Sequence, residues 1–326
     1  MSLHTATSES QKPVRSVTSS DKSTGYAALL ATVIIWSLPS LFQFYLNRYY
    51  DPWAQNFYRY SVACLAIVPF LFFRSQQPET RLTPRLFLLC LWPCLPNVVH
   101  QVGQVLALYY MGPGVYAIFG RTSVIFTALL ALAFFPEERY VIRQWQFQVG
   151  TCLGLAGAFG VLWFQPGAHS EHISAAGVVI GVVATFCWSL YGVLIKRPSA
   201  QLGPIRSFAV VSVVTSALLL PLTAAFGHLD TPIDVAARVN MILIISAVTC
   251  ITLAHVLYYI AIREIGVALA QTLQLLCPVG ALGLSAWIFR ERLAAAQLWS
   301  AAVLLFCAFL AMKTKPIAAT ETAENL

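Results

Sequence analysis

"IIWSLPSLF", residues 34–42, returns in the second half of the chain within "TFCWSLYGVL", residues 185–194, so that Trp36 is matched by Trp188 at a shift of 152. The same shift carries Pro52 to Pro204, Pro69 to Pro221 and Gly114-Val115 to Gly266-Val267. One residue more carries Glu138-Arg139 to Glu291-Arg292 and Gln144 to Gln297. Matches spread this evenly signify an internal duplication.

The duplicated unit is a set of apolar runs. Of 326 residues 58% are apolar and only 10% charged, and the mean hydropathy is +0.72. A soluble domain needs far more charge to cover its surface. Runs of about twenty apolar residues cross roughly 30 Å of hydrocarbon. Read against the Pro, Gly, Asp and paired charges that break them, they give ten spans, roughly 26–46, 53–73, 86–110, 113–135, 145–164, 175–195, 205–226, 239–262, 266–289 and 293–312. The first five form a repeat over 26–164 and the last five a repeat over 175–312. Tails of 1–25 and 313–326 flank them. The Ser- and Thr-rich stretch before Gly25 lacks the apolar core of a signal peptide and reads as a disordered tail.

Lys and Arg set the orientation. They gather in the two tails and in the connectors after the second, fourth, sixth and eighth spans. The opposite connectors hold only Arg48, Arg238, Arg290 and Arg292. Both termini are therefore expected in the cytoplasm, in a membrane of the bacterial inner-membrane kind. Five spans per copy is an odd number, so the second copy is expected upside down. The fold class is an all-α integral membrane protein, ten transmembrane helices as two inverted five-helix repeats. That architecture places a substrate site near the midplane between the halves.

These features resemble the drug/metabolite transporter superfamily, EamA type. The resemblance covers about residues 26–312. It is carried by the Trp in the first span of each repeat, by Arg59 in the second span, and by "PVGALGLSAWIFRERLAAAQ", residues 278–297. The Glu-Arg-x4-Gln pattern before the fifth and tenth spans belongs to it as well. It implies ten helices, alternating access and movement of small metabolites, often amino acids, commonly outward. The chain departs from the pattern at Ser37 and Ser189, where a Gly usually follows the Trp. Pro278 has no partner in the fourth span, where Phe126 stands, and Gly150 has no glycine counterpart in the tenth.

Other function classes are set aside on chemistry. The +7 net charge is scattered through short loops, so no nucleic-acid face forms. The eight cysteines all lie in apolar runs without metal or redox spacing, Cys90 and Cys94 included, and read as packing residues. No P-loop, zinc motif or nucleophile set appears, so no enzyme, no catalytic or metal residue and no cofactor is expected. Gly150-x3-Gly154 and Gly177-x3-Gly181 read as close helix contacts. Glu138-Arg139 and Glu291-Arg292 read as helix caps, or as ion pairs that lock a gate.

The polar residues inside the spans carry the functional reading. None of the thirteen Asp and Glu residues is in the interior of a span. The intramembrane cations and titratable groups are Arg59, Arg121, His100 and His255. An ionised side chain at mid-bilayer costs at least about 2.5–3.5 kcal/mol, so such groups face the bundle interior. Around Arg121, Ala117, Gly120, Ala128 and Ala131 share its face, and Ile118, Ile125, Leu129 and Leu132 form the opposite stripe, which predicts lipid on the branched side. At 1.5 Å per residue, Arg59, Arg121 and His100 come out about 9, 12 and 15 Å from the outer surface. An anion is expected to join them, a carboxylate or phosphate of the substrate near Arg121. Arg59 alternatively braces neighbouring spans or snorkels outward.

His100 lies in "WPCLPNVVHQVGQ", residues 92–104, where Pro93, Pro96, Asn97, Gln101 and Gln104 suggest a helix lining the path. Gln271 and Gln274, a turn apart before Pro278, lie about 8 and 12 Å from the inner surface and supply neutral hydrogen-bonders on the other wall. Trp36 and Trp188 either stack on the substrate or fill the core. Candidate substrate-binding residues are thus Arg121, Arg59, His100, Gln101, Gln271, Gln274, Trp36, Trp188 and Asn97. The candidates for proton coupling are His100 and His255, since histidine titrates near neutrality; a hydrogen-bonded core histidine is the alternative for His255. Tyr109, Tyr110, Tyr258 and Tyr259 read as interfacial belt residues. The leading reading is a secondary transporter, a probable exporter, of a small carboxylate-bearing metabolite such as an amino acid. The rivals are an organophosphate or nucleotide-sugar exchanger and, from another class, a lipid scramblase. Its partners would be the metabolite and membrane lipid, the chain acting as a monomer or homodimer.

Overall fold

A computed structural model describes residues 19–72, 83–111, 113–164, 174–289 and 294–314, and the regular structure among them is entirely helical. The first half comprises α1 (Ser19–Ile35), α2 (Pro39–Leu46), α3 (Pro52–Phe72), α4 (Pro84–Leu91), α5 (Cys94–Tyr110), α6 (Pro113–Arg121), α7 (Ser123–Phe134), α8 (Pro136–Arg143) and α9 (Trp145–Trp163). The second comprises α10 (Ala175–Leu202), α11 (Pro204–Phe226), α12 (Thr231–Asp234), α13 (Ala237–Ser246), a π-helical segment Ala247–Leu253, α14 (Ala254–Ile265), α15 (Val267–Leu273), a 3-10 turn Gln274–Leu276, α16 (Cys277–Phe289) and α17 (Ala295–Met312).

Local chemistry explains many of the boundaries. Proline opens α2, α3, α4, α6, α8 and α11, at the position where its missing N–H costs nothing. Asp51 Oδ1 accepts the Trp53 and Ala54 N–H groups at 2.9 Å each, a side-chain cap for α3. Gly203 at φ 81° and Gly266 at φ 86° turn the chain out of α10 and α14, in the left-handed region that glycine enters without strain.

Six helices are long and apolar enough to cross a membrane: Pro84–Tyr110, Ala175–Leu202, Pro204–Phe226, Ala237–Ile265, Val267–Leu284 and Ala295–Met312. Shorter apolar helices run over Lys22–Ile35 and Phe119–Phe134. Leu65, Ile125, Leu129, Val179 and Phe306 are exposed on the outside of the bundle. So apolar a surface is what hydrocarbon covers. The protein is an integral membrane protein.

Helix α1 packs along α14, and α10 packs along α5; α3 lies along α11, and α9 along α17. The last pair meets through glycine. A Cβ on Gly150 would stand 3.0 Å from the Cys307 carbonyl oxygen, and one on Gly157 would stand 3.1 Å from that of Ser300. Gly177 is packed equally closely against Tyr110. Small residues thus bring the backbones together, as expected of helix contacts in lipid.

The structure departs from the continuous spans in informative ways. The first span breaks between α1 and α2, the fourth at Thr122 between α6 and α7, the eighth at the π segment and the ninth at the 3-10 turn. At Thr122 both the backbone N–H and the hydroxyl go to the Phe119 carbonyl, at 3.0 and 2.7 Å, which tightens the turn and ends α6. The segment 136–143, read as connector, is helix α8. Tyr258 and Tyr259 are not belt residues: both are fully buried. Tyr258 donates to Gln271 Oε1 at 3.0 Å, and Tyr259 is bonded to Tyr191. Helix α14 continues to Ile265, so these tyrosines lie in mid-bundle rather than at its end. Tyr109 and Tyr110 are exposed, as a belt requires. Glu291-Arg292 and most of both tails lie outside the described residues.

Candidate functional site

A cavity of ≈ 170 Å³ opens between the two halves. Trp36, Pro39 and Gln43 line it from the first span, Arg59 from α3, and His100, Gln101, Gln104 and Leu108 from α5. Tyr116, Ala117, Gly120, Arg121 and Ser123 form another wall. Trp188, Cys250, Ile251, His255, Gln274 and Cys277 close it from the second half. No carboxylate is among them.

The breaks in the helices make this surface. Pro278 has no N–H to offer the carbonyl of Gln274, four residues back. That carbonyl takes the Cys277 N–H in a 3-10 turn and, in addition, Arg121 Nη1 at 2.8 Å. Arg121 Nε donates to the Ala117 carbonyl at 3.4 Å. The guanidinium at the break of one repeat thus binds the backbone freed at the break of the other. Trp36 Nε1 likewise donates at 3.0 Å to the carbonyl of Cys250, inside the π segment.

Arg59 is in a different condition. It is 2% exposed, and among the described residues it makes no hydrogen bond; its Nε and Nη1 are buried without a partner. The outward snorkel is excluded. The ion pairs among the described residues run from Lys196 to Glu137 and Glu138 and from Arg263 to Glu264, so neither cavity arginine has a carboxylate. Buried cations without an anion are costly, and the cavity is where one can be supplied.

Aromatic rings form the floor. Trp36 and Trp188 stand edge to face with centroids 5.2 Å apart, and Tyr258 lies 5.0 Å from Trp36 and 5.7 Å from Trp188. His100 packs against Trp188 at 4.8 Å, its Nδ1 2.9 Å from the Ala184 carbonyl oxygen. His255 Nδ1 lies 2.8 Å from that of Ile251.

The structure therefore gathers Arg121, Arg59, His100, Gln101, Gln274, Trp36, Trp188 and His255 around one space. Asn97 and Gln271 are not among the lining residues. Asn97 is bonded to Tyr60 and donates to Thr215 Oγ1 at 3.1 Å. Gln271 Nε2 donates to Ser123 Oγ at 2.7 Å, and its Oε1 accepts from Tyr258 and Gln274, both at 3.0 Å. Both amides stand one layer behind the wall: Gln271 holds Ser123 and Gln274, which form it, and Asn97 Oδ1 accepts from Gln101 at 3.5 Å.

Sequence reading missed Gln43, Tyr116, Ser123, Cys250 and Cys277 as lining residues. Gln43 carried a signal: it is a lone amide in an apolar run, two turns beyond Trp36, and its Nε2 is unpartnered. Ser37 and Ser189 were also undervalued. Ser37 Oγ lies 2.8 Å from the Val33 carbonyl oxygen and 3.0 Å from that of Cys277. Ser189 Oγ lies 3.2 Å from that of Thr185 and 2.8 Å from that of Ser123. Each serine thus ties its own helix to the broken helix of the other repeat.

Beyond the floor the bundle is sealed. Tyr191, Tyr258, Tyr259 and Phe208 are fully buried there. Farther along, Glu138 Oε1 and Oε2 accept the Val267 and Ala268 N–H groups, at 2.8 Å each, and Lys196 Nζ at 2.5 Å. Lys196 lies 4.1 Å over the Phe135 ring.

The sequence profile of the EamA-like transporter family matches residues 23–163 and again residues 175–313. The chain belongs to this family, within the drug/metabolite transporter superfamily. Two matches of one profile make the halves two EamA repeats, and members of the family are transporters, not enzymes. This transporter shares its fold with a solved crystal structure that is 17% identical: the match covers 94% of this chain and all of that one, with a TM-score of 0.71. No curated protein sequence matches it.

Proposed function

We propose that this EamA transporter moves a small carboxylate-bearing metabolite, such as an amino acid, by alternating access, and that it works as an exporter. Its ten spans form two inverted five-helix repeats, and both termini lie in the cytoplasm of a bacterial cell. The cavity is the substrate site, here open to the outer side.

The observation that carries this reading is the pair of guanidiniums on a cavity wall without a carboxylate. Among the described residues Arg121 is hydrogen-bonded to carbonyls, and Arg59 Nε and Nη1 have no partner. Charge-assisted hydrogen bonds to a carboxylate are what such groups make best. The size of the space favours a small solute: ≈ 170 Å³ is below the roughly 300–1,000 Å³ typical of drug-sized ligands, which counts against a nucleotide sugar. The helix contacts support the inverted pairing. Exchanging the repeats turns the α1–α14 contact into α10–α5 and maps α3–α11 and α9–α17 onto themselves. The exchange also carries Ser37 to Ser189, whose partner Ser123 stands two residues before the position that matches Cys277. Gln104, Leu108 and Tyr116 mark the open end, and the Glu138–Lys196 knot the closed one. His100 and His255 are the groups that would carry a coupled proton.

Counterflow in proteoliposomes tests the proposal. Amino acids on the far side are expected to stimulate uptake of a labelled amino acid, and phosphate esters are not. Arg121→Gln is expected to weaken binding about 10- to 100-fold, the loss of about 1.5–3 kcal/mol for a charged hydrogen bond. Unchanged affinity in that variant refutes the assignment, as does competition by phosphate esters alone or lipid scrambling without solute counterflow.

A further inference from the structure

We infer that Arg59 and His255 form a two-point recognition pair in the wall of the cavity, which demands of the substrate a hydrogen-bond donor next to its carboxylate, as in a 2-amino or 2-hydroxy acid. This rests on the reading that the cavity binds a carboxylate, and it adds a requirement that Arg121 alone does not impose.

Both side chains line the cavity, both are more than nine-tenths buried, and both carry unpartnered polar atoms. Arg59 is 2% exposed and His255 3%. The orphans are of opposite kind. Arg59 Nε and Nη1 are donors. His255 Nδ1 faces the Ile251 carbonyl oxygen, so the hydrogen of the neutral ring sits on Nδ1 and Nε2 is left with a lone pair. That Nε2 is buried and has no partner. A bare carboxylate would answer Arg59 and leave Nε2 unanswered. A ligand with an ammonium or hydroxyl beside the carboxylate answers both.

The fold fixes the two groups relative to each other. Thr252 Oγ1, in the π segment, lies 3.3 Å from the Ala63 carbonyl oxygen on α3, and this tie stands between the two groups, about one turn from each. Both side chains face the same cavity. The π segment holds one extra residue per turn and so advances the side chains after it by about 100°. The ring cannot swing away. It is stacked on Phe208 at 5.5 Å and stands edge-on to Trp36 at 5.4 Å. The Trp36 and Trp188 rings stand 5.4 and 6.0 Å from the imidazole, and aromatic rings attract a cation.

A site built to bond a substrate's N–H or O–H rejects the analogue that lacks it, and this gives the test. The common amino acids and 2-hydroxy acids are titrated onto the purified full-length protein, and the tightest binder is compared with its analogue lacking that amino or hydroxyl group. The wild type is expected to prefer the donor-bearing acid at least about tenfold. His255→Phe keeps a ring between Phe208 and Trp36 and is expected to abolish the preference, with the analogue bound within about twofold of wild type. His255→Gln, which restores an acceptor, is expected to keep part of it. A wild type that binds both acids equally, or a preference that survives in His255→Phe, overturns the pair yet leaves the carboxylate site standing. A protein that binds neither acid but takes inorganic phosphate or its esters removes the carboxylate reading as well.

Discussion

At one end of the bundle Glu138 is saturated: two N–H groups of α15 and the Lys196 ammonium surround a carboxylate that is 5% exposed. Toward the other end Arg59 is buried as deeply, and among the described residues its Nε and Nη1 have no partner. Both are charges in a low-dielectric interior, and the difference shows what each is for. A buried charge whose partners all belong to the protein holds elements together. One whose partners are missing is shaped for something that arrives. In this transporter the sealed end joins α8 of the first repeat to α10 and α15 of the second, and the proposed anionic substrate would be bound at the cavity.

The contrast can be broken most severely at the sealed end. Glu138→Ala leaves Lys196 and two backbone donors without their acceptor, and losing one partner of a buried pair costs about 3–5 kcal/mol. Hydrogen exchange at Val267 and Ala268 is expected to quicken by two to three orders of magnitude; unchanged exchange there would show that the knot holds nothing. Next in size are the Arg121 and His255 variants, which should act on ligand affinity and leave exchange at α15 unaltered. Lys196→Met keeps the stem over Phe135 and removes only the charge. Glu138 retains its backbone donors, so a stability loss of about 1.5 kcal/mol, near the lower bound for a charged hydrogen bond, is expected, read as a lowered thermal midpoint. Smallest are the serine ties. Ser37→Gly and Ser189→Gly restore the residue that the family resemblance expects and remove one neutral hydrogen bond each, about 1 kcal/mol. Equal effects of the two on transport would sharpen the two-fold relation; a large effect of one alone would break it.

Much of this was legible in the residues. Trp36 with Trp188 and the paired prolines disclosed the duplication, because repeated packing needs repeat the same side chains. The small-residue face of Ala117, Gly120 and Arg121 pointed to the interior, and that face lines the cavity. The interruptions were not legible. Periodicity sees a run of apolar residues through 113–135 and 239–262, whereas the turn at Thr122 and the π segment depend on which carbonyls find donors elsewhere. Cys250 and Cys277 looked inert because a thiol carries no polarity signal, yet their carbonyls accept the Trp36 indole and the Ser37 hydroxyl. Tyr258 and Tyr259 were misplaced because distance from a span's end was taken as depth, while α14 runs on to Ile265.

The bond from Arg121 to the Gln274 carbonyl bears on the half of the cycle in which nothing is carried. A uniporter must return empty, and a naked cation dragged past the barrier would make that step the slowest. In the proposed cycle this peptide dipole would partner the guanidinium when no substrate does. A substrate bound at Arg121 would then gain only the difference between the two contacts, so that holding would be weaker and release faster.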